Sequence, residues 1–343
     1  MVGRLGTPMI RPKLSVVIPV FNEAETIPEL DRRLKALFAS LTSIAGSWET
    51  VFVDDGSRDG SGDMLAALAR SELRYKIIGF SRNFGHQAAI TAGIDRADGD
   101  AVVVMDADLQ DPPEVVQLML DKVAEGFDVV YGVRKQRQAE TVFKRATASL
   151  FYRLIRVMTR VDIPADAGDF RLMTRPVVLA LRALREQHRF VRGMVAWVGF
   201  RQTAIYYDRE ARFAGETKYP LRKMLRFAID GITSFSVLPL RMATWLGLFA
   251  GSAAVLVGIW LFFVKFLRLG AVPGWASIMV AVTFGFSAQF VMTGILGEYI
   301  GRIYEEIKRR PLYIANRETN LEPIERDHAL SRRAGPDVEG AQR

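Results

Sequence analysis

Residues 102–114 read VVVMDADLQDPPE. The run Val102–Met105 is apolar and β-rich, which predicts a strand buried on both faces. It ends in two carboxylates one residue apart, Asp106 and Asp108, which share one side of an extended chain; Gln110 joins them if the turn is tight. Pro112 and Pro113 then open a helix. Two carboxylates and an amide oxygen form a hard-cation site suited to Mg²⁺ or Mn²⁺, leaving positions for water and phosphate oxygens. A diphosphate is the natural ligand of such a site. The competing reading of an isolated D-x-D is a solvated turn, and the apolar strand before it together with Gln110 after it argues for the metal.

Outward from this segment, further strands are predicted at Leu14–Pro19, Thr50–Asp54, Lys76–Phe80 and Asp128–Tyr131, with Ala101–Met105 as the fourth in order. Ile27, Leu30, Leu34, Leu37, Phe38 and Leu41 recur at steps of three and four, an amphipathic helix with its stripe in the core. Strands alternating with helices predict an α/β fold with a mostly parallel sheet. Ligands of open α/β sheets bind outside the carboxyl edge. Asp54 and Asp55 close the second strand there, and Asp106 and Asp108 the fourth.

The chain has 343 residues, half of them apolar, enough for one large domain and something smaller. It has no Cys and three His, which excludes disulfides and thiolate metal sites and leaves zinc without ligands. The net charge of +8 lies largely beside apolar segments towards the C-terminus, which favours an anionic membrane surface over nucleic acid. Met1–Lys13 holds no apolar run of signal-peptide length, so the soluble part is expected in the cytosol.

After about Gly215 the pattern changes. Leu221, Met224, Leu225, Ala228, Ile229 and Ile232 form an apolar stripe with Arg222, Lys223 and Arg226 on other faces, the signature of an interfacial helix or of a surface helix packed on the domain. Met242–Val264 and Leu269–Gly297 carry no charge, and each exceeds the roughly 20 residues that span a bilayer. Arg222, Lys223, Arg226 and Arg241 before the first span, and Arg302, Lys308, Arg309 and Arg310 after the second, put both ends in the cytosol, with only Lys265 and Arg268 outside. Gly247 with Gly251, and Gly297 with Gly301, permit close helix approach within the hairpin or between subunits. The polar segment from Asn316 to Arg343 is expected to be mobile. The resulting division is an extension over 1–13, a catalytic domain over 14–217, interfacial helices over 218–238, a membrane hairpin over 239–304 and a cytosolic tail over 305–343.

Four motifs occur in one order: VVIPVFNE (Val16–Glu23), VDDGSRDG (Val53–Gly60), SRNFGHQAA (Ser81–Ala89) and MDADLQDPPE (Met105–Glu114). In these the chain resembles the family 2 glycosyltransferases of GT-A fold, and among them the polyprenyl-phosphate glycosyltransferases, which include dolichyl-phosphate mannose synthases and bacterial GtrB-type glucosyltransferases. The similarity runs from about Leu14 through the second span. It implies transfer of one sugar from a nucleotide-sugar donor to polyprenyl (undecaprenyl) phosphate at the bacterial inner membrane. UDP-glucose is the favoured donor and GDP-mannose the next, and a homo-oligomer, a tetramer, is implied.

By the same resemblance Pro19, Phe21, Glu23 and Asp55 would line the base and ribose pocket, with Asp106 near ribose and metal and Asp108 and Gln110 on the metal. Asp54 and Asp55 both end a strand at the ligand edge, and a turn-capping role for one of them stands beside nucleotide contact. Ser81–Gly85 also reads as a structural loop, and His86 as a packed or capping residue rather than a base. Arg134 follows the fifth strand, and Arg145 and Ser149 lie four apart on a helix; in the family such residues meet donor and acceptor phosphates, while a solvated helix face is the other reading. Arg212 and Lys218 flank Ala214-Gly215-Glu216, similar to a mobile loop that closes over the diphosphate. Asp169, in the segment DAGDFR (Asp166–Arg171), is expected nearest the anomeric carbon, with pairing to an arginine as its rival role.

The implied mechanism is one inverting in-line displacement. A lipid phosphate is already anionic, so it attacks without a protein base; metal, Arg212 and Lys218 stabilise the leaving diphosphate, and Asp169 orients. A processive polysaccharide synthase would carry Q-x-x-R-W, where this chain has Gln187-His188-Arg189-Phe190. A non-catalytic nucleotide-binding membrane scaffold would not need Asp106, Asp108, Gln110, Arg212 and Lys218 intact.

Overall fold

A computed structural model describes residues 12–43, 45–134, 167–208, 237–266 and 274–321. The first half alternates strand and helix: β1 (Lys13–Val20), α1 (Ile27–Ser40), β2 (Ser47–Asp54), α2 (Ser61–Ser71), β3 (Tyr75–Phe80), α3 (His86–Arg96), β4 (Ala101–Val104), α4 (Val115–Ala124) and β5 (Val129–Arg134). All five expected strands form, within a few residues of their predicted ends. β6 (Ala167–Thr174), α5 (Arg175–Ala183), α6 (Val191–Trp197) and β7 (Gln202–Tyr207) follow. The long helices α7 (Leu238–Phe266) and α8 (Trp275–Ile307) and a last strand, β8 (Ala315–Thr319), complete the described chain.

The eight strands lie in the order β7-β5-β6-β4-β1-β2-β3-β8. β4, β1, β2 and β3 are parallel; β6 runs antiparallel between β4 and β5, and β8 antiparallel on the outer side of β3. The first crossovers step outward from β1 to β2 to β3, and the next returns to β4 on the other side of β1. The direction of winding therefore reverses between β1 and β4. This is the switch point where open α/β sheets leave a crevice at the strands' carboxyl ends.

Side-chain alternation divides the core between two faces. Val16 and Ile18 of β1 and Val103 of β4 pack with α1, α2 and α4, while Val17, Val102 and Val104 pack with α3, α5 and α6. The stripe Ile27, Leu30, Leu34, Leu37 and Phe38 is buried as expected. Each such side chain contributes about 1.5–3 kcal/mol by leaving water.

One finding differs from expectation. Ala315–Thr319 is a strand hydrogen-bonded along β3, so the segment expected to be mobile begins as part of the sheet. Arg96 pairs with Glu318, and the Asn320 amide donates to the carbonyls of Ala69 and Tyr75 at 2.7 and 2.9 Å, which ties the end of this strand to the domain. The interfacial stripe between Leu221 and Ile232 lies outside the described residues.

α7 and α8 are long and apolar enough to cross a membrane, and they pack on one another while most of their remaining apolar surface is bare. Trp245, Phe249, Trp260, Phe284 and Phe290 are among the large apolar side chains left exposed. An aqueous protein rarely presents so large a continuous apolar patch. Of the four small-residue positions, Gly247 approaches Met292 of the partner helix, where an added Cβ would stand 3.3 Å from its sulfur; Gly251, Gly297 and Gly301 face open space.

Gly93 shows how closely α3 lies on the sheet. A Cβ there would sit 2.1 Å from Cγ1 of Val17. Gly→Ala inside a helix ordinarily stabilises by about 0.5–1 kcal/mol. Here overpacking reverses the sign, and Gly93→Ala is expected to lose about 1–3 kcal/mol in denaturant titrations of the detergent-solubilised protein. Adding Val17→Ala should recover part of the loss.

Candidate active site

The switch-point crevice is walled by the turn after β4. Leu109 adopts φ of +57° although it is not glycine, and its side chain is buried, so the chain stores strain in order to bend sharply at this position. The backbone N–H of Gln110 donates to Oδ1 of Asp108 at 3.1 Å, closing the turn. The tight turn on which the placement of Gln110 depended is thus present. Tyr207 of β7 donates its hydroxyl to the buried Asp111, which anchors the far side of the turn.

Asp106 stands at the centre of a chain of charge. His86, the first residue of α3, places Nε2 3.5 Å from Oδ1 of Asp106 and 3.2 Å from Oδ2 of Asp169. Asp169, on β6, receives Nε and Nη2 of Arg192 at 2.7 and 2.9 Å, a two-point clamp from α6. Arg171, two residues further along β6, is buried beside it and donates to the carbonyl of Gly168 at 2.7 Å.

The protonation states follow from these contacts. Burial pushes Asp106 up to about 6, against the pull of His86, and Asp169, Asp111 and Asp108 add repulsion. Burial would raise Asp169 too, but the hydrogen bonds from Arg192 and His86 outweigh it and hold this carboxylate well below the usual range. His86 stays above the ordinary imidazole value because Asp169 and Asp106 outweigh its burial. Arg171, fully enclosed, is pushed down to about 10.

The fit of a divalent cation can be tested on these residues. Oδ1 of Asp106 is buried without a hydrogen-bond partner among the described residues, and nearby carboxylates make its surroundings negative. Such an atom suits a cation. Among the described residues no group of three or more His, Asp or Glu side chains is assembled to hold a metal unaided. An ion on Asp106, Asp108 and Gln110 would need ligands from water or from phosphate oxygens.

A second depression, a cleft of about 810 Å³, opens beside β1, β2 and β3. Phe21 and Asp54, both expected to meet nucleotide, line it with Arg58, Arg82, Asn83 and Arg317. Gly56, in the left-handed region at φ of +71°, passes so close to Arg82 that a Cβ would lie 2.6 Å from its backbone carbon. Asp55 is employed differently: it is buried and accepts the backbone N–H groups of Phe84 and Gly85, fixing the Ser81–Gly85 loop ahead of α3. Glu23 accepts the Thr26 hydroxyl at 3.0 Å at the start of α1, and Pro19 is buried within β1. Arg134 ends β5, its side chain undescribed; Arg145, Ser149, Arg212 and Lys218 lie outside the described residues.

Arg192 escaped the reading of motifs. Its signal in sequence is a lone cation in the apolar run Val191–Trp197, which demands a buried carboxylate partner. The segment before it touches the end of α8: the Gln187 N–H donates to Glu306 at 2.6 Å, the Gln187 side chain to the carbonyl of Arg310 at 2.7 Å, and His188 meets Glu305 at 2.7 Å. Four residues separate His188 from Arg192, so the end of α8 and the Asp169 clamp share one short piece of chain.

With this geometry in view, comparison with known proteins is informative. The model of "Glycosyl transferase family 2" matches residues 15–181. A glycosyltransferase of Bacillus subtilis described as uncharacterised is 48% identical over 308 residues, which is 90% of this chain and 94% of that protein. The chain belongs to glycosyltransferase family 2. The prophage bactoprenol glucosyl transferase homolog of Escherichia coli is 40% identical over 305 residues, covering 89% of this chain and 99% of its own length. Among solved structures, a Pyrobaculum calidifontis mannosyltransferase in complex with GDP-Man and Mn²⁺ aligns over 89% of both chains, with 16% identity and a TM-score of 0.43. Family membership agrees with the GT-A fold expected from the sequence, here with two apolar helices appended.

Removing Arg192 would take the two-point clamp from the buried Asp169 and leave its charge to His86 and the nearby Arg171. Arg192→Met is expected to cost about 3–5 kcal/mol, measured by denaturant unfolding at pH 7. Because Asp169 is depressed, the stabilisation is complete above the ordinary carboxylate value near 4 and is lost as pH falls through the folded value. The loss in the variant should therefore shrink as the solution is acidified below about pH 4.

Proposed function

We propose that this family 2 enzyme transfers one glucose from UDP-glucose to undecaprenyl phosphate at the cytosolic face of the bacterial inner membrane, with inversion at the anomeric carbon. The observation that carries the reading is the joining of the Asp106–His86–Asp169–Arg192 cluster to the end of a bare apolar helix pair through residues 187–192. Relatives named bactoprenol glucosyl transferases, of matching length and about 40% identity, support both acceptor and sugar.

Asp106, Asp108 and Gln110 would hold a divalent cation, which when bound neutralises charge on the donor's diphosphate. Phe21 and Asp54 would meet the nucleotide in the adjoining cleft. Arg212 and Lys218 are assigned to the leaving diphosphate, and Arg134, Arg145 and Ser149 to the acceptor phosphate. Asp169 has little basicity, since its clamp favours the charged form; it is a poor proton acceptor. The lipid phosphate needs none, being anionic at neutral pH. Asp169, fixed by Arg192 and His86, thus orients reactants and adds negative charge beside a carbon that becomes positive in the transition state. Both termini in the cytosol and a homo-oligomeric state belong to the same reading.

Washed membranes carrying the enzyme, given labelled UDP-glucose, undecaprenyl phosphate and Mg²⁺, are expected to form a chloroform-soluble product with one sugar. Asp108→Ala should lower transfer by on the order of 100-fold at unchanged expression, and EDTA should abolish it until Mg²⁺ or Mn²⁺ is restored. Label entering the lipid from GDP-mannose alone would reassign the donor. Undiminished transfer by Asp108→Ala in EDTA would refute the metal-assisted mechanism.

A further inference from the structure

A further depression shares no lining residue with the Asp106–Asp169 cluster. It is a cleft of about 940 Å³ lined by the starts of β1 and β3, the end of α3, α5 and the segment that follows α8. Eight Lys and Arg side chains line it against three carboxylates. Their commitments divide them into two groups. Lys76 pairs with the buried Glu49 at 2.6 Å, Lys13 with Asp98 at 2.9 Å, and Arg96 with Glu318. Arg175 donates to the carbonyl of Ala97 at 2.9 Å and lies 3.9 Å from Asp98, and Arg182 donates to the carbonyl of Ile94 at 2.9 Å, so both cap the C-terminal end of α3. Arg185 has Asp95 at 2.7 Å.

Arg309 and Arg310 are different. Both are exposed, both line the cleft, and neither side chain has a hydrogen bond or ion pair among the described residues. Across the cleft, Arg182 is held below the ordinary guanidinium value by burial and by the nearby charge of Arg175. Capping α3 accounts for Arg175 and Arg182; a positive flank to the second span accounts for the charge of Arg309 and Arg310 but not for their place on the wall of this cleft. Cations converge here from two parts of the molecule, α5 and the exit of α8. A multiply charged anion would relieve that repulsion and join the two parts.

We infer that this cleft is a binding site for a phosphate-bearing anion, bridged between Arg309 and Arg310 after the apolar hairpin and Arg175, Arg182 and Arg185 of the catalytic domain. Guanidinium groups match phosphate oxygens in fork geometry, and several in one concave site bind diphosphate-like charge in preference to chloride. Free diphosphate and the headgroup of an anionic phospholipid share this chemistry. The site stands apart from the Asp106 crevice, so it does not depend on the donor or acceptor proposed above.

The test uses the full-length protein in neutral detergent. Thermal unfolding is followed with inorganic pyrophosphate at constant ionic strength, with EDTA present so that no divalent ion holds pyrophosphate in the Asp106 crevice. A concentration-dependent rise in Tm is expected for the native chain, by mass action. Arg309→Ser/Arg310→Ser should need at least tenfold more pyrophosphate for the same rise while retaining sugar transfer, which shows that it folds. Phosphatidylglycerol nanodiscs that abolish the pyrophosphate response, where phosphatidylcholine nanodiscs preserve it, would identify the lipid headgroup as the source; a response preserved in both would identify a free anion. No rise in detergent, or an equal rise in the double variant, overturns the site.

Discussion

The two-point clamp of Arg192 on Asp169 is the contact through which the rest of the candidate site is organised. Asp169 is 7% exposed, and a carboxylate in that setting is tolerated only if its charge is matched. Arg192 matches it from α6, His86 from the start of α3, and Arg171 stands beside it from β6. One ionised group therefore sets the positions of three elements separated in sequence, and the stiffness of the clamp fixes where the carboxylate can point. The same balance leaves Asp106 without enough positive charge, which is why burial pushes it up to about 6 while its neighbour is driven the other way. Two carboxylates with pKa values forced apart suit two tasks: one is a permanent anion, the other takes a cation when offered one.

The sheet determines where this cluster forms. The reversal of winding between β1 and β4 leaves their carboxyl ends without a crossover covering them, and β6, inserted antiparallel beside β4, brings Asp169 to the same edge from the opposite direction. A wholly parallel sheet would start that strand at the other edge. The strained Leu109 turn and the Tyr207–Asp111 bond then hold Asp108 and Gln110 close to Asp106. Fold and site are thus joined by strand direction.

Much of this was legible in the chain. The strands β1 to β5 announce themselves because their residues are buried on both faces, so apolar runs are continuous, and the α1 stripe repeats at helical spacing. The placement of Asp106 and Asp108 just after a buried strand could be read because the acidic groups lie within a few residues of it. The role of Arg192 could not, because its partner is 23 residues away in sequence and the pair exists only once α6 packs on the sheet. β8 escaped for another reason: ANRET is polar, sits at a sheet edge and is held by backbone hydrogen bonds, which leave no hydrophobic period to read. The role of Asp55 turned on a loop 29 residues downstream, and from the strand end alone capping and ligand contact were equally good readings.

The connection between the apolar hairpin and the catalytic domain is polar and short. Gln187 and His188 hold Glu305, Glu306 and the carbonyl of Arg310, and the chain from there to Arg192 is too brief to absorb a displacement of α8 without moving the Asp169 clamp or bending α6 at its first turn. Val191 donates its N–H to the side chain of Gln87, next to His86, so the same piece of chain is also tied to α3. A shift of the helix end therefore reaches both cationic partners of Asp169. On the proposed reading, in which a lipid phosphate must meet a sugar held in the crevice, this linkage makes the distance between bilayer and reacting carbon a property of the fold rather than of a flexible tether, and β8, which leaves α8 and pairs with β3, makes the attachment two-sided.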